Sequence, residues 1–423
     1  MLACGNAMFK VLDTLLRRIV RNGDLVFIDC DGNAHSFGDG EGRRLTVRLA
    51  DARVERQLAI NPELRLGEAY MDGRLTIEGG RVYDLLELLL ANMQRLGTPR
   101  WVQVLENARK LKKRVQQFNP APRARRNAAH HYDIKREFYD LFLDRDWQYS
   151  CAYFTDGADL DEAQLAKKRH LTAKLAVNSG QRVLDIGSGW GGLALYLAKI
   201  ADCEVTGVTL SQEQLQVSRE RARKQGLARA VRFELQDYRK VQGTFDRIVS
   251  VGMFEHVGVN HYGQYFRKVR ELLADNGVAL VHTIGRSDVP TITNPFIARY
   301  IFPGGYIPSL SEIVPHIERA GFFITDVEVL RLHYAKTLRA WRERFLANWD
   351  KATALMGDRF CRMWEFYLAG SEAAFRYQGL VVFQLQLARK VDTLPLTRDY
   401  IADAERRLRA IEEYAEAPRL AGE

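Results

Sequence analysis

The chain has 423 residues, 47% of them hydrophobic, with 62 Lys and Arg against 53 Asp and Glu and a formal net charge of +9. That length and apolar share are enough for two or three globular units and exclude a disordered chain. Five cysteines at scattered spacings, Cys4, Cys30, Cys151, Cys203 and Cys361, form no CxxC pair, which argues against a disulfide framework or a zinc knuckle; no metal site is expected.

Up to about residue 105 short strands ("DLVFID", "LTVRLA", "RLTIEG") mix with helices, and "DCDGNAHSFGDGEG" reads as turns, so residues 1–105 are expected to form a small α+β domain. Its last helix is "VYDLLELLLANM". The following "NARKLKKRVQQFNPAPRARRN" is rich in Lys and Arg, has no Asp or Glu, and carries Pro120 and Pro122, which marks 106–130 as a basic linker. Such a block is either a solvated connection or a docking site for nucleic acid or anionic lipid headgroups.

From about residue 180 strands and helices alternate: "RVLDIG", "GLALYLAKIA", "CEVTGVTLS", "EQLQVSRERARKQG", "AVRFELQ", "DRIVSVG", "YFRKVRELLADNG", "VALVHTIG". This pattern predicts a doubly wound α/β sheet of order 3-2-1-4-5 within a catalytic domain over 131–395. After an insertion, "NPFIARYIFPGGYIPSLSE", the segment from Pro315 to Phe345 predicts a helix, an edge strand pair and a long helix. The chain is then expected to stay helical to its end, with 396–423 a C-terminal helix and tail. No apolar run is long enough to span a bilayer, and "MLACGNAMFK" lacks the basic start and apolar core of a leader, so a cytoplasmic protein is expected.

"VLDIGSGWGGLALYLA" follows a strand and opens a helix, so free amides and glycines allow a nucleotide-like ligand to approach the backbone. Gly187, Gly189 and Gly192 also satisfy the dinucleotide fingerprint. Two features oppose a dinucleotide. Asp185 at the strand end would repel a pyrophosphate but suit an ammonium or ribose hydroxyls. The next strand ends in Thr209, Leu210 and Ser211, without the ribose-gripping carboxylate, and Gln214 is the nearest substitute. S-adenosylmethionine fits better. Asp237 and Tyr238, after the third strand, could meet the adenine, although Asp237 by itself reads first as a surface turn residue.

Strand four carries "IVSVGMFEHVG" and strand five "VALVHTIG", which sets Glu255 near His282 at carboxyl ends of neighbouring strands, where open α/β sheets bind ligands. The plainer alternative is a capping Glu and a satisfied core His. His256 is expected to point away as scaffold. By themselves Cys151 reads as a small buried hydrophobe and Tyr334 as a packed aromatic.

"HYDIKREFYDLFLDRDWQYSCAYF", "VLDIGSGWGG", "GVTLSQEQ", "DRIVSVGMFEHVG", "LVHTIG", "IFPGGYIPS" and "LHYAKTLRAW" occur together in this order. From about His131 to Arg389 the chain resembles the cyclopropane-fatty-acyl-phospholipid synthases and the related mycolic acid cyclopropane synthases. The resemblance implies a seven-stranded class I methyltransferase (Rossmann-like) sheet with helical additions. It implies transfer of the methyl of S-adenosylmethionine to an acyl double bond of a membrane phospholipid, through a carbocation deprotonated by bound bicarbonate. Its implied bicarbonate ligands are Cys151, Glu255, His282, the backbone of Ile284, and Tyr334. Its implied S-adenosylmethionine contacts are Tyr149, Ser150, Gly187, Gly189, Thr209, Leu210, Gln214, Asp237 and Tyr238, beside Asp185.

With a membrane substrate the basic linker tilts toward anionic headgroups, so peripheral association with the inner membrane face is expected, without nucleic acid. A homodimer is suggested. The chain departs from many relatives at Ser371, where they carry a cysteine once proposed as nucleophile; a neutral serine cannot readily replace a thiolate. Two alternatives stand beside the synthase: a fatty-acyl methyltransferase giving a methyl-branched or methylene lipid, and a non-catalytic lipid-binding protein with a relic fold.

Overall fold

The structure is a computed structural model describing residues 3–96 and 136–416; the basic stretch at 106–130 lies outside them. The described residues form two compact units, each drawn from separate parts of the chain.

One unit contains 3–96, Thr291–Pro303 and Tyr334–Leu380. Its four-stranded sheet has the order β2-β1-β3-β4, with β1 Asp24–Ile28, β2 Ala34–Phe37, β3 Arg44–Leu49 and β4 Leu75–Glu78. Strand β2 lies inside the stretch expected to be all turns. Of its four residues only Phe37 is buried, so it lacks an apolar alternation to betray it. The turn that precedes it is tied by Asp29, whose Oδ1 accepts the amides of Asp31 (3.0 Å) and Asn33 (2.8 Å). Phe27, Phe37, Val47, Val54 and Leu85 join one core. The helix Asp358–Tyr377 packs on Pro62–Met71 and Val82–Leu96. Gly67 permits that approach, since a Cβ there would lie 2.4 Å from the Phe296 ring and 2.8 Å from Phe366.

The other unit contains 136–290, Gly304–His333 and 381–416. Its strands are β5 Arg182–Ile186, β6 Glu204–Thr209, β7 Val231–Leu235, β8 Phe245–Val251, β9 Leu273–Arg286, β10 Phe323–Val329 and β11 Leu380–Ala388. Their order is β10-β11-β9-β8-β5-β6-β7. β9, β8, β5, β6 and β7 run parallel, in the expected 3-2-1-4-5 arrangement, and β10 pairs antiparallel with β11. Neighbouring residues feed opposite faces: Leu184 and Ile248 enter one core, Val183 and Val249 the other.

The expectation of continuous helix after Phe345 is corrected by β11. The edge strand β10 has its partner there, not within the Pro315–Phe345 segment. Strand β11, "LVVFQLQLA", is buried at all but its first position. A strand covered on both faces has no polar alternation, and so its apolar run reads equally as helix.

The helix Leu160–Lys174 opens with a capping box between Asp159 and Glu162. Although it reads as polar, Lys167, Lys168, Arg169, His170 and Lys174 are all buried. Each finds its partner far along the chain or in the loop before it.

Candidate active site

Strand β5 empties into a turn in which Gly187, Gly189 and Gly191 have φ of +83°, +54° and +84°. Side chains would be strained there, and at Gly191 a Cβ would also strike the Phe233 ring at 2.7 Å. The turn delivers the chain into the helix Gly192–Ile200 and leaves its first amides facing a cleft. That cleft is lined by Tyr149, Ser150, Asp185, Gly187, Gly189, Thr209, Leu210, Gln214, Asp237 and Tyr238. All ten residues expected around S-adenosylmethionine therefore meet in one place.

Asp185 is 2% exposed, and its Oδ2 has no hydrogen-bond partner. Burial pushes its pKa up to about 7, against the pull of Lys167. Lys167 is fully buried beneath the same cleft. Its Nζ donates to Gln148 Oε1 (2.6 Å) and Ser150 Oγ (2.9 Å), and burial lowers its pKa to about 8. Thr209 Oγ1 donates to Gln214 Oε1 at 2.9 Å, which fixes the amide end of Gln214 at the cleft.

Asp237 is buried, not a surface turn residue. Its Oδ1 accepts from the Arg239 amide (3.0 Å) and Nε (2.9 Å), and its Oδ2 from the guanidinium at 2.6 Å. The carboxylate is thus oriented by Arg239, which also lines the cleft. Tyr238 meets Tyr265 edge-on at 5.4 Å, and this fixes the plane of its ring.

His256 is corrected from scaffold to cleft lining. The expectation assumed strand-like alternation past Val251. Instead Phe254–His256 is a 3-10 turn, in which successive side chains fan out by about 120°, so Glu255 reaches the Ile284 amide of β9 while His256 lines the cleft. Burial lowers the His256 pKa to about 4. Lys167, Trp147 and Arg239 were also missed; nothing local distinguishes such residues from surface cations and core aromatics.

The carboxyl ends of β8 and β9, which lead to Glu255 and carry His282, are neighbours. Val251 pairs with His282 in the β8–β9 register, and the Gly252 amide donates to the His282 carbonyl at 2.9 Å. Glu255 does not cap a helix: its Oε1 accepts the Ile284 amide at 2.6 Å. Its Oε2 is buried without a partner, and burial raises its pKa to about 7. The Glu255 carbonyl accepts from the Tyr306 amide at 2.9 Å, which ties this turn to the insertion after β9.

His282 is 2% exposed, and its Nε2 is likewise buried without a partner. Burial drives its pKa down to about 3, helped by the Lys167, Lys174 and His170 charges. The site thus offers one carboxyl oxygen and one ring nitrogen with open hydrogen-bonding capacity in a dry setting, where such groups are costly unless a ligand meets them. Cys151 is buried in this unit, its Sγ directed to the Ala152 carbonyl at 3.3 Å. Tyr334 begins the part of the chain assigned to the other unit, where its ring packs on Phe375 and Trp341 at 4.9 and 5.9 Å. No cluster able to hold a metal ion occurs among the described residues.

A family model described as mycolic acid cyclopropane synthetase matches residues 120–385, and a domain of unknown function, DUF7884, matches 15–97. A probable fatty acid methyltransferase of Pseudomonas putida is 38% identical, covering 87% of this chain and 94% of the relative. The cyclopropane-fatty-acyl-phospholipid synthase of Escherichia coli K12 is 38% identical, covering 82% and 88%. Among solved structures, a mycolic acid cyclopropane synthase, CmaA1, complexed with SAH and CTAB aligns with a TM-score of 0.59. It is 33% identical and covers 64% of this chain and 99% of that one.

Proposed function

The chain belongs to the mycolic acid cyclopropane synthetase family, and from that premise we propose that it methylenates the double bonds of acyl chains in membrane phospholipids. The enzyme is an S-adenosylmethionine-dependent methyltransferase. The observation that carries the finer reading is that Gly252, Met253 and His256 line the cleft while the same two strand ends carry Glu255 Oε2 and His282 Nε2 buried without partners.

An alkene is a weak nucleophile, so the chain must hold it close to the sulfonium carbon and away from water. The glycine turn and helix amides seat the amino acid part of the methyl donor, Asp185 faces its ammonium, and Asp237 with Tyr238 receives the adenine. After methyl transfer the acyl chain carries a carbocation, and the ring closes when a proton leaves the new methyl group. Bicarbonate, when bound, supplies the base for that proton.

The donor set fits such an anion. Glu255 Oε2 can accept from a hydroxyl, the His282 Nε2 side can face an oxygen, and Cys151 lies in the same unit. The Ile284 amide, proposed as a further contact, is shared with Glu255 Oε1, so Glu255 and Ile284 act as one rigid edge. Tyr334 is proposed from its motif alone. Fixed donors beside a developing cation stabilise it without reorganisation.

The membrane is proposed to be met by the basic stretch at 106–130, with peripheral binding at the inner face and a homodimer as the working form. No helix among the described residues is long and apolar enough to cross a bilayer. The test is incubation with S-adenosylmethionine and vesicles of an unsaturated phospholipid, followed by NMR of the product lipid. Ring-methylene protons are expected. A second reading, methyl branching without ring closure, is favoured by the Pseudomonas putida relative; a product with an exocyclic or branched methyl and no ring would establish it instead. Vesicle binding is expected to weaken with salt, and co-sedimentation insensitive to ionic strength would remove the headgroup role.

A further inference from the structure

Strand β11, where the sequence pattern predicts helix, supplies a residue that the chemistry described above does not use. β11 lies next to β9 in the sheet, and it brings Gln384, which is completely buried, to His282; the Gln384 Nε2 lies 3.3 Å from His282 Nδ1. This is the one hydrogen bond the Gln384 side chain makes among the described residues, because its Oε1 is buried with no partner. A glutamine kept for packing would satisfy both ends of its amide or give way to an apolar residue. This one leaves an oxygen unmet and spends its amine on the ring.

We propose that Gln384 is a positioning residue that holds His282 as the neutral tautomer with its proton on Nε2. The inference rests on the bicarbonate reading for its catalytic consequence. A neutral imidazole has one N–H and one bare nitrogen. The Gln384 amine donates to Nδ1, so Nδ1 is the bare one and Nε2 carries the hydrogen. Nε2 is also the atom left without a partner, and it is therefore a donor aimed at an anionic oxygen. Burial and the surrounding cations keep a second proton off the ring.

The neighbourhood explains the choice of an amide over a carboxylate. Gln384 pairs across the strand with Glu328, and Glu328 already holds His170 Nε2 (2.7 Å) and Lys174 Nζ (2.9 Å). Asp326 supplies a second partner for Lys174 at 2.8 Å. A further carboxylate at 384 would compete for those cations and draw a proton onto Nδ1, converting His282 to imidazolium beside the forming carbocation.

The test labels the histidines of the full-length protein with nitrogen-15 and reads the His282 tautomer from long-range proton–nitrogen correlations, the signal being assigned by its loss in His282→Asn. A protonated Nε2 and bare Nδ1 are expected in the wild type. Gln384→Met, which preserves length but donates nothing, should mix the tautomers and lower turnover roughly tenfold while leaving S-adenosylmethionine affinity unchanged. A wild-type ring protonated on Nδ1 overturns the proposal. So does a Gln384→Met protein with wild-type tautomer and turnover. If that variant does not fold, the wild-type spectrum alone decides. Turnover of the wild type in carbonate-depleted buffer, with bicarbonate added back, separates the two readings: indifference to bicarbonate removes the anion's role and leaves the tautomer result intact.

Discussion

The helix Leu160–Lys174 meets two regions of its unit, and they treat its buried cations differently. Toward the helix Asp399–Glu416 every charge is closed. Arg169 Nε donates to both oxygens of Glu412 (3.1 and 3.0 Å), Tyr196 donates to the same carboxylate, and His170 stands between Glu328 and Glu405 at 2.7 Å each. Toward the cleft Lys167 bonds neutral oxygens of Gln148 and Ser150, and Asp185 keeps an oxygen unmet. Closed charge serves the fold, because removing one member strands the other in a dry interior. Open charge is tolerated where a ligand will complete it.

The contrast can be broken at four points. The largest effect is expected at Glu255→Gln, which should cut turnover roughly a thousandfold with S-adenosylmethionine affinity nearly intact; isothermal titration beside a lipid assay reads both, and unchanged turnover would sink the base-site model. Next, Glu412→Gln should lose about 3 kcal/mol in a denaturant titration, since it uncovers Arg169. Lys167→Met should cost little stability by the same measurement. An equal loss in the two variants would erase the distinction between closed and open charge.

Third, affinity for the cationic methyl donor should rise with pH through about 7 as Asp185 ionises. Asp185→Asn should flatten that dependence and weaken binding about tenfold; a sloping profile in the variant would assign the titration elsewhere. The smallest effect concerns His170. Burial opposes its charge, but the Glu328 and Glu405 bonds raise its pKa above the ordinary 6.5. A raised folded pKa means its contribution is full below 6.5 and fades as pH climbs through the higher folded value. Glu328 runs the other way: burial would raise it, yet His170 and Lys174 hold it at about 2, so its share is present above 4.5 and fades as pH falls toward 2. Thermal melts should thus soften at both extremes, and Glu405→Gln should remove part of the alkaline slope.

Much of the cleft was legible because a glycine turn between strand and helix has few other uses, and Thr209, Gln214, Asp237 and Tyr238 follow at the next two strand ends. Glu255 and His282 were legible through strand order alone. What escaped depended on distant partners. Arg169 has its partner 243 positions away and Lys167 in the irregular loop before the helix, neither marked by a local pattern, and β11 read as helix because burial on both faces erases alternation. His256 escaped because a 3-10 turn replaced the assumed strand geometry. The role of Gln384 needed β11 first, so one misassigned element hid one functional neighbour.

The pairing of Arg169 with Glu412 spans 243 positions, and His170 reaches Glu405 across 235. Long loops must close before such contacts are rewarded, which makes them late events in folding. Until then the cationic helix cannot sink into the sheet edge, and the loop carrying Ser150 lacks its Lys167 anchor. Assembly of the cofactor cleft should therefore depend on docking of a helix that contributes no residue to its lining. In stopped-flow refolding, recovery of S-adenosylmethionine binding should coincide with docking of Asp399–Glu416, and binding that returns in an earlier phase would uncouple the two.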